Sequence, residues 1–220
     1  MSAYLDTLIN TETPSLIYVM DPMCSWCWAF RPVFQAVAAH YQQRLDSFVL
    51  LGGLAPDSDE PMSDVQQRHI QGIWRNIEQT TGAQFNHEFW QRCEPRRSTY
   101  PACRAVMVAR QHSDILADKM IDGIQRAYYQ QAKNPSDLDT LSDCAQQLGF
   151  TANEFQQQMQ TLASEERLEE EVEFIQRLGV QGFPTLVLKV GAQWFSLPVD
   201  YKSSDGIISA IDNLIAREPE

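Results

Sequence analysis

Two cysteines separated by two residues, Cys24 and Cys27, stand where a strand-like stretch passes into a helix-like one. Residues 15–20 are apolar and partly β-branched, which favours a buried strand. Residues 28–41 repeat apolar side chains at near-helical spacing, and a second apolar stretch at 48–51 is stopped by two glycines. The pattern predicts a β-α-β unit with both cysteines at the carboxyl end of its first strand, where open α/β sheets place their sites.

This position gives the two thiols a chemical role. A thiol at a helix N-terminus meets backbone N–H groups without helical partners and the positive end of the helix dipole, and both favour thiolate over thiol. Thiolate is the form that attacks disulfides. We therefore predict Cys24 as the more exposed nucleophile that forms a mixed disulfide, and Cys27, one turn further and more buried, as the thiol that resolves it. The alternative is a pair of unreactive core cysteines, which the flanking pattern disfavours.

The middle of the chain has a different pattern. From about residue 62 to 178 the apolar spacing is helical almost throughout. These residues are predicted to form a helical insertion domain, 62–178, within a discontinuous domain of residues 1–61 and 179–220.

After this insertion the pattern returns to strands. Residues 185–190 and 193–197 predict two strands joined by a tight turn, and 207–215 predict a final amphipathic helix. The predicted order is therefore βαβ, helical insertion, ββα.

A proline stands directly before the third predicted strand, in the dipeptide Phe183-Pro184. The cis form of such a bond costs only about 0.5–1 kcal/mol more than trans, so packing can select it. A cis bond would present the backbone of Phe183 outward, where a substrate strand could pair with it. Proline at a strand start is trans in most proteins, and the surrounding pattern leads us to predict cis here.

Composition excludes several classes of function. The formal net charge of −12 disfavours a nucleic-acid partner, and no apolar run is long enough to cross a membrane. The N-terminus lacks the pattern of a secretory signal, which predicts a cytoplasmic protein, although a mature form without its signal would look the same. Five cysteines do not suit a disulfide framework, and no second close ligand pair indicates zinc. We predict no bound metal or cofactor, and a catalytic role for the Cys24/Cys27 pair as a redox-active disulfide.

These motifs together resemble a known family. A CxxC at a strand-to-helix turn, Pro32 five residues later, and Gly-Phe-Pro-Thr at 182–185 before a hairpin resemble the thioredoxin fold, and the long insertion narrows this to the DsbA-like superfamily. The segment 21–28 is similar to the cytoplasmic FrnE-like branch of protein disulfide isomerases, and 98–105 is similar to a motif that opens an insertion helix near the dithiol there. The resemblance implies an α/β thioredoxin fold with a large all-helical insertion. It also implies an enzyme, a thiol-disulfide oxidoreductase that reduces or isomerises disulfides.

The chain departs from the better-known members at two points. The dipeptide between the cysteines is Ser25-Trp26, not the Pro-His of DsbA or the Gly-Pro of thioredoxin. General thiol-disulfide exchange is therefore better supported than a strongly oxidising role. No carboxylate occupies the buried position that thioredoxin uses for proton transfer, and Asp21 is expected to substitute in part.

The substrate surface is assigned from these motifs. Ser25 is a candidate hydrogen-bond donor to the thiolate, and Trp26, Phe183 and Pro184 are candidate substrate contacts for protein or peptide disulfides. Trp28 is equally consistent with a wall of the site and with the core.

The insertion supplies further candidates. Thr99 and Arg104 are candidate contacts for an anionic group such as a glutathione carboxylate, with glutathione as co-substrate; an arginine lying along a helix surface is an equally good interpretation of Arg104. Cys103 is either a third redox thiol or, as the pattern favours, a buried small apolar residue. Cys93 and Cys144 are predicted to have structural roles only.

Two other functions remain open. Glutathione-dependent enzymes of the kappa-class transferase and 2-hydroxychromene-2-carboxylate isomerase type share the resembled fold, but they usually have serine where Cys24 stands and lack the second cysteine. A peptide-binding module that uses the apolar groove without catalysis is the third alternative.

Overall fold

The computed structural model describes residues 2–216, which form two compact units. The first unit contains the β-sheet and comprises 2–20, 29–52 and 170–216. The second is helical and comprises 21–28 and 53–169. Residues 21–28, which contain the cysteine turn, belong to the helical unit. Their side chains bond to other residues of that unit.

The sheet has four strands, in the order β2-β1-β3-β4. β1 is parallel to β2 and antiparallel to β3, and β3 is antiparallel to β4. Every residue of the central β1 is buried, which explains its continuous apolar run. The strands are β1 (Ser15–Met20), β2 (Asp46–Leu51), β3 (Thr185–Val190) and β4 (Gln193–Leu197).

Ten helices are found among residues 2–216. They are α1 (Ala3–Asn10), α2 (Ser25–Tyr41), α3 (Asp64–Thr81), α4 (Phe89–Arg92), α5 (Tyr100–Arg110), α6 (Asp114–Tyr129), α7 (Leu138–Gln147), α8 (Ala152–Ser164), α9 (Arg167–Arg177) and α10 (Asp205–Ile215). Within these residues, each helix is too short or too polar to cross a lipid bilayer.

Local sequence signals set several of the helix ends. Ser63 and Gln66 form a reciprocal capping box at the start of α3, and Gly82 ends that helix in the left-handed region at φ 79°. The chain also breaks between α8 and α9, where Glu166 adopts φ 51°. The helical spacing of residues 62–178 does not mark this break, at which α8 ends at Ser164 and α9 begins at Arg167.

The core of the first unit is formed by apolar residues of α1, the strands and α9, including Leu8, Ile17, Leu50 and Ile175. Two buried polar groups are satisfied inside this unit. The Nζ of Lys189 donates to the carbonyl oxygen of Thr11 at 2.5 Å. The Leu51 N–H donates to a carboxylate oxygen of Glu171 at 2.6 Å, which gives a partner to the end of β2.

Candidate functional site

The cysteine turn lies between the end of β1 at Met20 and the start of α2 at Ser25. The Cys24 N–H donates to the carbonyl oxygen of Asp21 at 3.0 Å, and the Cys24 carbonyl accepts from the Trp28 N–H at 3.1 Å, as in a first helical turn. Cys24 therefore immediately precedes the helix, where a negative charge is stabilised. Cys24 is 8% exposed and Cys27 is 0% exposed, the order that the sequence predicts.

A buried carboxylate holds this turn in place. One oxygen of Asp21, Oδ1, accepts from the Met23 N–H at 2.7 Å. The other, Oδ2, accepts from the Leu54 N–H and from the Thr99 hydroxyl, both at 2.7 Å, and lies 3.6 Å from the Cys103 Sγ. The carboxylate thus ties the cysteine turn to the loop after β2 and to the start of α5.

The same carboxylate is electrostatically unusual, because Asp21 is completely buried. Burial raises the pKa of Asp21 above its ordinary value, and the hydrogen bonds from Leu54, Thr99, Met23 and Cys103 offset part of that rise. Sequence reasoning anticipated Asp21 only as a partial proton acceptor and missed its role as the anchor of the turn. The Asp-Pro-Met order was the available signal, since aspartate in turns commonly bonds the N–H two residues on.

The two residues predicted to contact an anion both bind carboxylates of the chain itself. Thr99 is buried and donates to Asp21, while it accepts from the Ala55 N–H at 3.1 Å. The Arg104 guanidinium is also buried and forms a two-pronged ion pair with Asp57, in which Nη1 lies 2.9 Å from Oδ2 and Nη2 contacts Oδ1. Arg104 is therefore not an arginine lying along an exposed surface, and contact with glutathione stays a prediction for both residues.

An aromatic cluster lies against the cysteine turn. The indole of Trp28 stacks on Tyr129 of α6, with centroids 5.6 Å apart and planes 21° apart, and its Nε1 donates to the Gln84 carbonyl oxygen at 3.2 Å. Trp28 is half-buried, so it serves both the core and the surface. Tyr129 was missed by sequence reasoning, since no local pattern pairs it with Trp28. The other rings of the cluster are those of Trp74, Phe85, Phe89, Trp90 and Tyr128.

The predicted substrate residues of the first unit lie at the start of β3. The Phe183–Pro184 peptide bond is cis, as the sequence predicts. The ring of Phe183 covers Gly52, where an added Cβ would lie 1.9 Å from the ring. Phe183 and Pro184 are half-buried, as are Ser25 and Trp26 in the second unit. Their contacts with substrate stay predictions.

The remaining cysteines are in surroundings that disfavour reaction. Cys103 is fully buried beside Asp21. The Cys93 thiol donates to the Ala132 carbonyl oxygen at 3.1 Å, and burial raises its pKa. Burial likewise raises the pKa of Cys144 to about 11. Between residues 2 and 216, no three His, Cys, Asp or Glu side chains lie together in a way that could hold a metal ion.

A family model described as a DSBA-like thioredoxin domain matches residues 15–200, a span that includes both Cys24 and Pro184. The chain belongs to this family. The match confirms the predicted fold class and the resemblance inferred from the motifs, and it places the Cys24/Cys27 pair in a family of DsbA-like thiol oxidoreductases.

Several solved structures superpose over most of the chain. A candidate protein disulfide isomerase from Nitrosomonas europaea is 26% identical, with a TM-score of 0.82 over 94% of this chain and 100% of that one. The cytosolic disulfide reductase DsbM from Pseudomonas aeruginosa is 23% identical, with a TM-score of 0.75 over 93% of this chain and 100% of that one. A structure of DsbM with GSH gives 24% identity and a TM-score of 0.73, over 92% of this chain and 99% of that one. At these identities the DsbM structures show a shared fold.

A curated relative matches the chain over only part of its own length. The ClpXP adapter protein SpxH from Halalkalibacterium halodurans is 25% identical over 179 residues, which make up 79% of this chain. The chain spans only 58% of the length of that relative.

Proposed function

We propose that this chain is a thiol-disulfide oxidoreductase that reduces or isomerises protein or peptide disulfides through Cys24 and Cys27. The observation that supports this most directly is the geometry of the turn. Cys24 immediately precedes α2 and keeps a small exposed surface, while Cys27 is wholly buried one turn further along. Membership of the DSBA-like thioredoxin domain family supports the same chemistry.

The proposed reaction has two exchanges. The Cys24 thiolate attacks one sulfur of the substrate disulfide; a Cys24–substrate bond forms, the substrate S–S bond breaks, and the departing sulfur takes up a proton. The Cys27 thiolate then attacks the Cys24 sulfur, which forms the Cys24–Cys27 disulfide and releases the second substrate thiol. The substrate gains two electrons in reduction. In isomerisation another substrate thiol resolves the mixed disulfide, and no net electrons are transferred.

The surroundings of the turn suit these steps. The helix N-terminus stabilises negative charge on Cys24, the only one of the two thiols with exposed surface. In this proposal Asp21 takes the proton that Cys27 must lose before it attacks. A carboxyl whose pKa is raised by burial is better matched to that task than an exposed aspartate, whose pKa lies further below neutral pH.

We further propose glutathione as the reductant that returns the disulfide to the dithiol, in a reducing, cytosolic compartment. The support is that DsbM, a cytosolic disulfide reductase with the same fold, has been solved with GSH. Ser25, Trp26, Phe183 and Pro184 are the proposed contacts for the substrate.

Replacement of the nucleophile tests the proposal. Cys24→Ser is expected to lower insulin reduction by about a thousandfold or more, because the hydroxyl cannot form the mixed disulfide. Cys144→Ser is the matched control, since it removes one buried thiol of the same unit and is expected to retain activity within about twofold. Full reductase and isomerase activity in Cys24→Ser would contradict the proposal.

A trapping experiment separates this function from glutathione transfer. Cys27→Ser is expected to accumulate a covalent complex with a disulfide substrate, visible on a non-reducing gel and released by dithiothreitol. If no complex forms, and Cys24→Ser conjugates glutathione to an electrophile as fast as the unchanged protein, the kappa-class transferase activity is favoured instead.

A further inference from the structure

Cys103 of α5 is a buried thiol that the proposed exchange does not use. Its side chain is 0% exposed, and its Sγ lies 3.6 Å from Oδ2 of Asp21, which is also completely buried. An S–H group can donate to a carboxylate oxygen at that separation. An ordinary thiol has a pKa of about 8.5 and an ordinary aspartate one of about 3.9, so the proton between them stays on the sulfur. The thiol is therefore the donor.

Helix geometry directs this donor at Asp21. Cys103 stands four residues after Thr99, and its N–H donates to the Thr99 carbonyl oxygen at 3.1 Å. Residues four apart lie on the same face of a helix, and here the thiol and the Thr99 hydroxyl reach the same carboxylate oxygen. The other buried side chains of α5 are apolar, except for Arg104, which is paired with Asp57. One face of α5 thus supplies two donors to Asp21.

Uncharged groups alone favour the ionised form of Asp21. Burial raises its pKa, and four hydrogen bonds lower it, in order of size those from Leu54, Thr99, Met23 and Cys103. The other titratable groups near this carboxyl are the turn thiols and two tyrosines of α6: Cys24, Cys27, Tyr128 and Tyr129. Burial raises the pKa of both tyrosines, so they stay neutral. Because none of these groups is a cation, the charge on Asp21 depends on each neutral donor.

The donors to Oδ2 of Asp21 differ in mobility. The Leu54 N–H is fixed in the main chain, whereas the Thr99 hydroxyl and the Cys103 thiol can rotate. The Thr99 hydroxyl also lies 3.4 Å from the Ala55 carbonyl oxygen, a second acceptor. A rotatable donor can turn away when the carboxyl gains a proton. Such a donor favours the charged form without strongly opposing the neutral one, as a group that accepts and releases a proton requires.

We propose that Cys103 is a positioning residue for the second exchange, whose thiol donates a hydrogen bond that keeps the Asp21 carboxyl ionised and ready to accept the Cys27 proton. This inference rests on the proposed function, in which Asp21 accepts that proton. The Cys27 S–H bond breaks, its proton passes to Asp21, and its electron pair stays on the sulfur that attacks Cys24. Cys103 keeps its own proton, and no bond to its sulfur forms or breaks.

The titration of Asp21 tests this hydrogen bond directly. NMR of labelled aspartate carboxyl carbons follows the reduced full chain between about pH 3 and pH 9, with Asp21→Asn for assignment. In Cys103→Ala the Asp21 midpoint is expected to rise by about half a pH unit, since a thiol is a weak donor. Cys144→Ala is the matched control, because it removes another buried thiol of the same unit, and it is expected to leave the midpoint unchanged.

Cys103→Ser separates the hydrogen bond from packing. A hydroxyl donates more strongly than a thiol, which compensates for its shorter reach, so the Asp21 midpoint is expected to return at least halfway to that of the unchanged protein. Lost packing alone would shift the alanine and serine variants alike, since both side chains are smaller than cysteine. An unchanged midpoint in Cys103→Ala, or the same shift in both variants, would overturn the inference.

The second exchange supplies a kinetic measurement. In single-turnover reduction of a disulfide peptide, release of the second substrate thiol requires ionised Asp21 and slows as pH falls through its pKa. In Cys103→Ala this limb is expected to move up by the same half unit, with about threefold slower release below it and no change in the first exchange. Identical limbs would contradict the positioning role. The NMR titration needs no substrate, so an unchanged protein that reduces no disulfide would contradict the proposed function alone.

Infrared spectroscopy keeps the test decisive if Cys103→Ala does not fold. In the double variant Cys24→Ser/Cys27→Ser, the remaining thiols are those of Cys93, Cys103 and Cys144. An S–H group that donates to a carboxylate absorbs at lower frequency than one that donates to a neutral oxygen, because the charged acceptor forms the stronger bond. One S–H band is therefore expected to move to higher frequency as Asp21 gains its proton. If no S–H band follows that titration, the inference fails.

Discussion

Cys24 and Cys144 are buried to nearly the same degree, 8% and 6% exposed, yet their chemical settings are opposite. Cys24 immediately precedes α2, where backbone N–H groups point toward it. Cys144 lies inside α7, where burial raises the pKa of its thiol to about 11, Lys133 lowers it and Asp143 raises it. Place within a helix, rather than burial alone, therefore separates a candidate nucleophile from a packing residue.

The largest expected effect is on alkylation rate. With a pKa of about 11, only about one Cys144 thiol in ten thousand is ionised at pH 7. Cys24 is expected to react with iodoacetamide at least about a hundredfold faster in the native, reduced protein. Peptide mapping at several reaction times measures both rates, and similar rates at the two cysteines would remove the basis of the comparison.

Removal of the Asp21 carboxylate should slow the alkylation of Cys24 and leave that of Cys144 unchanged. Asp21→Ala leaves the N–H groups of Met23 and Leu54 and the Thr99 hydroxyl without their acceptor, and is expected to cost about 3 kcal/mol of unfolding free energy. In native protein, Cys24 alkylation should slow while that of Cys144 does not. Urea unfolding measures the stability loss.

Asp59→Ala is the control for this variant, because Asp59 is exposed and its removal should change the free energy of unfolding by no more than about 0.5 kcal/mol.

The Asp21 carboxyl also predicts that stability depends on pH. Its folded pKa is raised above 3.8, so its contribution to stability is fully present below pH 3.8 and is lost as pH rises through the folded value. Asp21→Asn should not lose stability in this way as the pH rises. Unfolding free energies that depend identically on pH in Asp21→Asn and in the unchanged protein would argue against a titrating carboxyl.

The smallest expected effect separates thiol reactivity from substrate contact. Gly52→Ala would place a Cβ 1.9 Å from the Phe183 ring, which must move, and is expected to cost about 2 kcal/mol. Alkylation of Cys24 and Cys144 should both be unchanged, while exchange with a protein disulfide falls. Gly182→Ala is the matched control, since nothing lies within 4 Å of its added Cβ. Equal exchange rates in the two glycine variants would argue against Phe183 as a substrate contact.

Much of the fold could be predicted from local pattern. The bounds of β1, β3 and β4 agree with the predicted strands, because short apolar stretches bounded by turn residues mark them locally. β2 begins at Asp46 instead of residue 48, since its first two residues are polar and exposed at the sheet. Helix α1 was not predicted: with only Leu5 and Leu8 buried over eight residues, it lacks a long periodic pattern and depends on packing in the core.

The sequence by itself determined the Cys24/Cys27 pair at a strand-to-helix turn, because both the spacing of two thiols and the start of a helix are properties of adjacent residues. Only the tertiary structure decided what surrounds that pair. Asp21 meets Thr99 across 78 positions of the chain, and Trp28 meets Tyr129 only when α6 packs against the turn. Such contacts depend on how helices pack in three dimensions, and packing selects partners by shape and burial rather than by any order along the chain.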